Sequence, residues 1–339
     1  MAGSPTPRPT TTSADSRLFD LPSEWTRALH ATFPQGHDDS CAAIGVALSG
    51  GPDSVALLLT AVQCWPGRVC AIHVHHGLQA AGDEFEQVST RLCDELGVDL
   101  MTARLDGKVP PGRSTEEWAR TERYQCLAET ALARRLGAVL LGQHADDQAE
   151  TVILALSRGA GLPGLAAMPA SFERHGMRFF RPWLTLEKQA FKAHLDQWGV
   201  SYAQDPANDD ERLVRSRIRS RLAPALNETF PGYKAMFARS ARHAAQAAAL
   251  HDEVGKEDLA RLGVPPRIEG LQAMSAPRLA NALRHWLKSV HHTQATSAQL
   301  DELMAQIRVC RTRGHEISIR VGAGRVVRVG EVLEYRETL

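Results

Sequence analysis

The 339-residue sequence contains no Cys-x-x-Cys pair, and its six cysteines, at 41, 64, 70, 93, 126 and 310, follow no regular framework. That excludes the usual zinc ribbon, iron–sulfur cluster and disulfide scaffold, and it points to buried thiols in a reducing compartment. No apolar run reaches the roughly 18 residues that span a bilayer, and no signal-peptide core stands near the start, so a soluble cytoplasmic protein with no membrane partner is expected. Net charge is also missing: Lys+Arg and Asp+Glu are both 39. No global field draws nucleic acid, and any RNA contact has to come from local patches. The sequence shows no internal repeat, and its most distinctive glycine loop carries no lysine, which rules out a Walker A loop.

That loop is the strongest positive signal. The stretch Ala42–Thr60 is a short apolar run, a break at Ser49, Gly50, Gly51 and Pro52, and a second apolar pattern from Val55. It reads as strand, tight loop, helix. The glycines allow a close backbone approach and Pro52 suits a helix start. Free N–H groups at a helix N-terminus favour an anion, so phosphate is the expected guest. Ser49 and Ser54 add hydroxyls, and Asp53 offers a carboxylate suited to Mg²⁺ beside phosphates. A bare Gly-Gly turn is ordinarily just a turn; the full SGGPDS hexapeptide between strand and helix is not.

Short apolar runs then alternate with helical ones: strands at Val69–His75, Leu100–Leu105 and Ala138–Leu141, helices at Glu84–Leu96 and Thr115–Leu136. This predicts an α/β fold, a doubly wound parallel sheet with helices on both faces and the ligand beyond the carboxyl ends of the strands. A fifth strand is expected at Phe179–Pro182, with Thr185 capping a helix over Glu187–Trp198. A basic helix over Arg212–Leu222 and an Ala-rich helix over Tyr233–Leu262 follow. Composition divides the chain into a Pro/Thr/Ser-rich disordered tail (1–17), a catalytic domain (18–225), a helical linker (226–265) and, beyond Pro265 and Pro266, a small mostly helical α+β domain (266–339).

Four further segments carry candidate chemistry. After strand four, His144, Asp147, Gln148 and Thr151 share a helical face with Glu150 beside it, which suits Mg²⁺ binding and proton transfer; an acid-rich, solvated first helical turn is the plainer reading. His73, His75 and His76 end strand two, where zinc would need ligands that are not evident and a nucleotide pocket or strand-end role is preferred. Glu116, Arg120, Arg123 and Tyr124 lie at three- and four-residue spacings that surface ion pairs explain equally well. Asp205–Asp210 is an acidic turn ahead of Arg212, Arg215, Arg217, Arg219 and Arg221, a local patch able to grip phosphate or simply to face solvent. A looser arginine patch runs through Arg308, Arg311, Arg313, Arg320, Arg325 and Arg328, where the solvated reading is favoured.

With these residues in view, the chain from about Ala42 to Tyr335 resembles the tRNA(Ile)-lysidine synthetase family. The loop SGGPDS resembles that of the wider PP-loop ATP pyrophosphatase superfamily. The more specific markers are HVHHGLQ, HADDQAET with the SRGAGLPGLAAM run, RPW at Arg181–Trp183, and DPAND ahead of the arginine helix. The resemblance implies a PP-loop, adenine nucleotide alpha hydrolase-like catalytic domain. It also implies ligation of L-lysine to the wobble cytidine of an isoleucine tRNA with a CAU anticodon, using ATP and Mg²⁺ through an adenylated cytidine.

Carried over, Ser49, Gly50, Gly51, Pro52, Asp53, Ser54 and His75 bind ATP; Asp53, His144, Asp147 and Glu150 form the reaction centre, with Asp53 and Asp147 on Mg²⁺. Glu116 and Arg120 orient lysine or phosphate, Arg215, Arg217, Arg219 and Arg221 face tRNA, and the final domain also contacts it. Relatives are often homodimers, which carries over as an expectation. Ser216 stands where relatives carry asparagine, Ala190 where they often carry an acid, and the chain ends without the extra C-terminal domain of long members, which opens the question of how methionine tRNA is rejected. The alternative is a tRNA thiolase of the same superfamily, but the thiocytidine type carries Cys-x-x-Cys pairs that are absent here. NAD- or GMP-synthetase-like enzymes and a non-enzymatic RNA-binding protein fit less well.

Overall fold

The alternation of short apolar runs with helical ones becomes a twisted sheet wrapped by helices. In the computed structural model, which describes residues 19–33, 43–77, 81–105, 107–112, 114–204, 210–312 and 314–337, the elements up to residue 200 are α1 (Ser23–Thr32), β1 (Ile44–Ala47), α2 (Pro52–Cys64), β2 (Val69–His75), α3 (Ala81–Leu96), β3 (Asp99–Arg104), α4 (Thr115–Ala133), β4 (Ala138–Leu140), α5 (Ala145–Ser157), α6 (Leu162–Leu165), β5 (Ser171–Arg174), β6 (Met177–Phe180) and α7 (Lys188–Trp198). The strand order is β3-β2-β1-β4-β6-β5. All pairings are parallel except β5 with β6. The chain leaves β1 outward to β2 and β3, then returns to β4 on the other side of β1. The switch point therefore lies between β1 and β4, where the loop after β1 and the segment after β4 meet.

Alternation along each strand divides the core between the two faces. Ala138 and Leu140 of β4 join Trp25, Trp183, Phe191 and most of α2 on one side, whereas Val139 and Leu141 join Tyr124, Leu127 and Phe179 on the other. Helix α2 is buried along nearly its whole length, from Val55 to Ala61, which is why its pattern reads as a continuous apolar run rather than as a stripe.

Two expectations are corrected. The fifth strand lies at Met177–Phe180, two residues upstream of its expected end, because His175 and Gly176, at φ 52° and 72°, make a two-residue hairpin that pairs it with the edge strand β5. Thr185 does not cap α7. That helix starts at Lys188 with Glu187 at its N-cap and no side-chain cap; the Lys188 N–H is accepted instead by the Asp146 carboxylate at 3.0 Å.

Beyond α7 the arginine-rich segment forms a continuous helical stretch: α8 (Val214–Arg217), a π-helical turn (Ile218–Leu222) and α9 (Ala223–Thr229). Helix α10 (Tyr233–Leu262) follows, and the boundary between two compact units, 1–241 and 242–339, falls within it. The second unit comprises the rest of α10, α11 (Ile268–Gln272), α12 (Ala276–His291), α13 (Ser297–Val309) and the antiparallel strands β7 (Ser318–Val321), β8 (Gly324–Val329) and β9 (Val332–Glu337). Its core gathers around Trp286, Leu287, Leu303 and Val326. Among the described residues, no helix is long and apolar enough to cross a membrane. The expected tail over 1–17, the Asp205–Asp209 part of the acidic turn, Arg313 and the Glu116 side chain lie outside the described residues.

Candidate active site

The loop after β1 is shaped by its own hydroxyls. Ser54 Oγ donates to the Gly51 carbonyl at 3.0 Å and accepts from the Ser49 N–H at 3.1 Å, and Ser49 Oγ lies 3.0 Å from it. Gly50 adopts φ +83°, and a Cβ there would meet the Phe85 carbonyl at 3.0 Å, so this position demands glycine twice over. Gly51 caps α2 and Pro52 opens it, leaving the first amides of a helix of 13 residues directed at the rim. The exit of β4 presses on this loop: a Cβ on Gly142 would lie 3.2 Å from the backbone of Asp53 and Ser54.

Gly142 delivers His144 to the centre. The imidazole is buried, with Nε2 3.5 Å from Asp53 Oδ2 and 3.4 Å from Asp147 Oδ2, and Nδ1 3.4 Å from Asp146 Oδ2. Burial alone would lower its pKa, but Asp147, Asp146 and Asp53 outweigh burial and push it up to about 10, so His144 is an imidazolium shared by three carboxylates. Asp147 also accepts the His144 N–H at 3.2 Å, closing the first turn of α5. Burial likewise works against the charge of Asp146, yet His144, Lys234 and the Lys188 amide hold its carboxyl well below the usual range. Lys234 Nζ reaches Asp146 Oδ1 at 2.6 Å and Glu187 Oε2 at 2.8 Å.

Beside this cluster lies a cavity of about 440 Å³ lined by His144, Asp146, Glu150, Lys188, Arg219 and Tyr233, among others. Glu150 is 3 % exposed. Arg219 grips both its oxygens and Arg215 Nη1 donates to Oε2 at 3.2 Å; Arg219 also stands 3.4 Å from Asp147 Oδ1. Burial would lower the Arg219 pKa, but Glu150, Asp147 and Asp53 raise it. A buried carboxylate facing two guanidinium groups at the wall of an acid-lined cavity is a site able to exchange one cationic partner for another.

Several sequence-assigned residues fall into this centre and others do not. The Ser49–Ser54 loop, Asp53, His144, Asp147 and Glu150 come together. Arg215 and Arg219 turn inward onto Glu150, whereas Arg221 pairs with Glu211 at the surface and Arg217 is exposed. Arg120 is exposed and makes no ion pair among the described residues. His75 is packed against α3, its Nδ1 accepting the Gly77 N–H at 3.1 Å and its Nε2 3.3 Å from Asp83. Gln148 leaves the polar face altogether and forms two hydrogen bonds with the Met168 backbone, both 3.0 Å. Ser216 is buried and lines the cavity. Sequence reading missed Asp146, Lys188, Tyr233 and Lys234. Asp146 was legible as the neighbour of Asp147; the other three lie 44 residues or more from His144 in sequence and have no motif.

A divalent cation fits one place. Asp53 Oδ1 is buried and has no hydrogen-bond partner, and Asp147 faces the same His144 nitrogen beside a phosphate-type loop; two carboxylates with waters and phosphates are a usual Mg²⁺ set. Among the described residues the one trio with closely grouped ligand atoms is His75, Asp83 and Glu86. There the His75 Nδ1 lone pair is used on Gly77, so the ring turns an N–H rather than a lone pair toward Asp83, which disfavours a metal.

Comparison with known proteins accords with this arrangement. The PP-loop domain family matches residues 24–226 and the TilS substrate binding domain matches residues 267–333. The chain is 51 % identical over 310 residues to a tRNA(Ile)-lysidine synthase of Polaromonas naphthalenivorans, covering 91 % of this chain and 93 % of that one. It is 42 % identical over 306 residues to the tRNA(Ile)-lysidine synthase of Bordetella pertussis, covering 86 % and 94 %. Among solved structures, the U34-tRNA thiolase NcsA from Methanococcus maripaludis superposes with a TM-score of 0.56 at 16 % identity, over 65 % of this chain and 77 % of that one, a likeness of fold alone.

Proposed function

The chain belongs to the tRNA(Ile)-lysidine synthase family of ATP-dependent ligases, and from that premise we propose that it joins L-lysine to the wobble cytidine of an isoleucine tRNA with a CAU anticodon, in the cytoplasm. The observation that carries the assignment of roles is the cavity lined by Asp146, Glu150 and His144, the last of which contacts Asp53 of the Ser49–Ser54 loop.

In this reading the cytidine O2 attacks the α phosphorus of ATP and the bond to pyrophosphate breaks. The loop amides and the Ser49 hydroxyl hold the departing pyrophosphate. Asp53 and Asp147 would hold Mg²⁺, which when bound neutralises triphosphate charge. The imidazolium of His144, fixed by its carboxylates, adds positive charge where phosphate charge develops. The lysine ε-amine then attacks C2, AMP leaves and the nitrogen gives up a proton.

The lysine is assigned to the cavity at Asp146 and Glu150 rather than to Glu116 and Arg120. An ammonium suits the buried Glu150 carboxylate and the half-buried Asp146 beside it, where Lys234 already makes such a pair. Arg215 and Arg219 occupy Glu150 until the substrate competes for it. Arg120 is left for phosphate, His75 for shaping the nucleotide side of the sheet rim, and the exposed Arg217 and Arg221 for tRNA. A homodimer is carried over from relatives. The likeness to a thiolase is one of fold and favours no second reading.

The test is incubation of the purified protein with ATP, Mg²⁺, labelled lysine and a CAU-anticodon isoleucine tRNA transcript. Lysine-dependent label at the wobble base with AMP release is expected. AMP release with no lysine incorporated would replace lysine by another acceptor; neither product would remove the ligase reading.

A further inference from the structure

Arg181 stands among the RPW residues, a motif to which the reaction as drawn assigns no role. It follows β6 at the carboxyl end of the sheet and is 3 % exposed. Its guanidinium forks to three separate segments: Nε donates to Gln143 Oε1 at 3.1 Å, Nη1 to the Pro169 carbonyl at 2.8 Å and Nη2 to Tyr124 Oη at 2.9 Å. It also stacks over Phe172, 4.3 Å from the ring centroid. Every one of these partners is neutral, and among the described residues no carboxylate pairs with it.

This is an expensive way to tie a fold together. A buried cation without a counter-ion costs more than a neutral side chain of similar volume, and hydrogen bonds to neutral acceptors with a cation–π contact recover only part of that. Burial lowers its pKa, Tyr124 opposes the fall and the nearby Arg120 and Arg123 add to it, with a net lowering.

What the fork holds explains its retention. Gln143 immediately precedes His144. Pro169 adjoins Met168, which Gln148 clamps to α5, the helix carrying Asp146, Asp147 and Glu150. Tyr124 lies on α4 beside Arg120 and Arg123. One guanidinium thus ties together the residue before His144, the segment clamped to α5, and α4.

We propose that Arg181 is a positioning residue for nucleotidyl transfer, which sets the aim of His144 through Gln143 and the stance of α4 through Tyr124. It touches no substrate. The proposal rests on the ligase reading given above.

The test is a cycle of Arg181→Lys, Gln143→Leu and the double variant, assayed for ATP- and tRNA-dependent pyrophosphate release and normalised to the folded fraction from a urea melt. Each single variant is expected to lower kcat about 10- to 100-fold, the scale of a misaligned reacting group. The KM values for ATP and tRNA should stay within about two-fold, and the double variant should be no worse than the worse single one. Wild-type kcat per folded molecule in Arg181→Lys, or losses that multiply in the double variant, would overturn the proposal. If Arg181→Lys does not fold, Gln143→Leu reads the same link, and wild-type kcat there overturns it. An inactive wild-type enzyme would instead count against the ligase reading itself.

Discussion

Glu150 and Asp258 are both buried carboxylates held by arginine, yet their surroundings differ. Asp258, on α10 in the second unit, is 1 % exposed and paired with a single guanidinium, that of Arg278 on α12. The charges match one to one. Glu150 is 3 % exposed, faces two guanidinium groups and lines a cavity shared with Asp146 and His144. A matched pair in a packed helix interface ties structure together. A buried carboxylate on a cavity wall, gripped by guanidinium groups one of which also reaches a second acid, can exchange a cationic partner for a cationic substrate. Arginine count and burial alone would have scored the two sites as alike.

Substitution should separate them. The largest effect is expected for Asp53→Asn, with turnover down about 10³-fold and a lower urea midpoint, because Oδ1 has no protein partner to lose but Oδ2 faces the buried His144 imidazole and Lys188. Turnover near wild type would remove Asp53 from the chemistry and blur the contrast. Next, Glu150→Gln should reduce lysine incorporation about 10²-fold, the cost of one well-placed charged contact, mainly through the KM for lysine. Lysine titrations followed on tRNA check this, and an unchanged KM would return the substrate to another pocket.

Asp258→Asn should do the reverse. It is expected to lower unfolding stability by about 3 kcal/mol, the lower end for a broken buried pair because Arg278 is half exposed, with kcat per folded molecule unaltered. A loss of kcat there would erase the distinction drawn from partner count. The smallest effect concerns a half-buried histidine whose Nδ1 has no hydrogen-bond partner. Burial, then Arg123, His73 and His75, lower the His76 pKa to about 4. A depressed histidine contributes stability that is full above the usual 6.5 and is lost as pH falls toward 4, because only the unfolded chain then takes up the proton. Unfolding free energies from urea melts at pH 7 and pH 4.5 should differ by about 1 to 2 kcal/mol less in His76→Gln than in wild type; equal differences would show that burial does not depress this histidine.

The parts of the site that were legible are those whose chemistry is local. Ser49–Ser54 needs glycine at a positive φ and a proline at a helix start, and both requirements are written in consecutive letters. The parallel sheet follows from alternating periods. A run of arginines reads in sequence as a single patch, solvated or phosphate-facing, with no sign of which side chains turn inward. Its four-residue spacing nonetheless separates Arg215 and Arg219, which meet Glu150, from Arg217 and Arg221, which do not. The edge strand β5 was hidden because its exposure alternates without an apolar face. Lys188, Lys234 and Arg181 reach Asp53, Asp146 and Gln143 across 38 residues or more of sequence, and a lone cation carries no mark of where its partner will be.

The contact of Gly142 with the backbone of Asp53 and Ser54, where a single methyl would lie at 3.2 Å, has a mechanical consequence. With no slack between them, the phosphate loop and the root of α5 must travel as one piece. Adjustment to an arriving substrate is then left to the wall opposite, where the π-helical turn already departs from regular helix geometry. Hydrogen exchange should accordingly report loop and α5 opening together, and the arginine segment opening on its own clock.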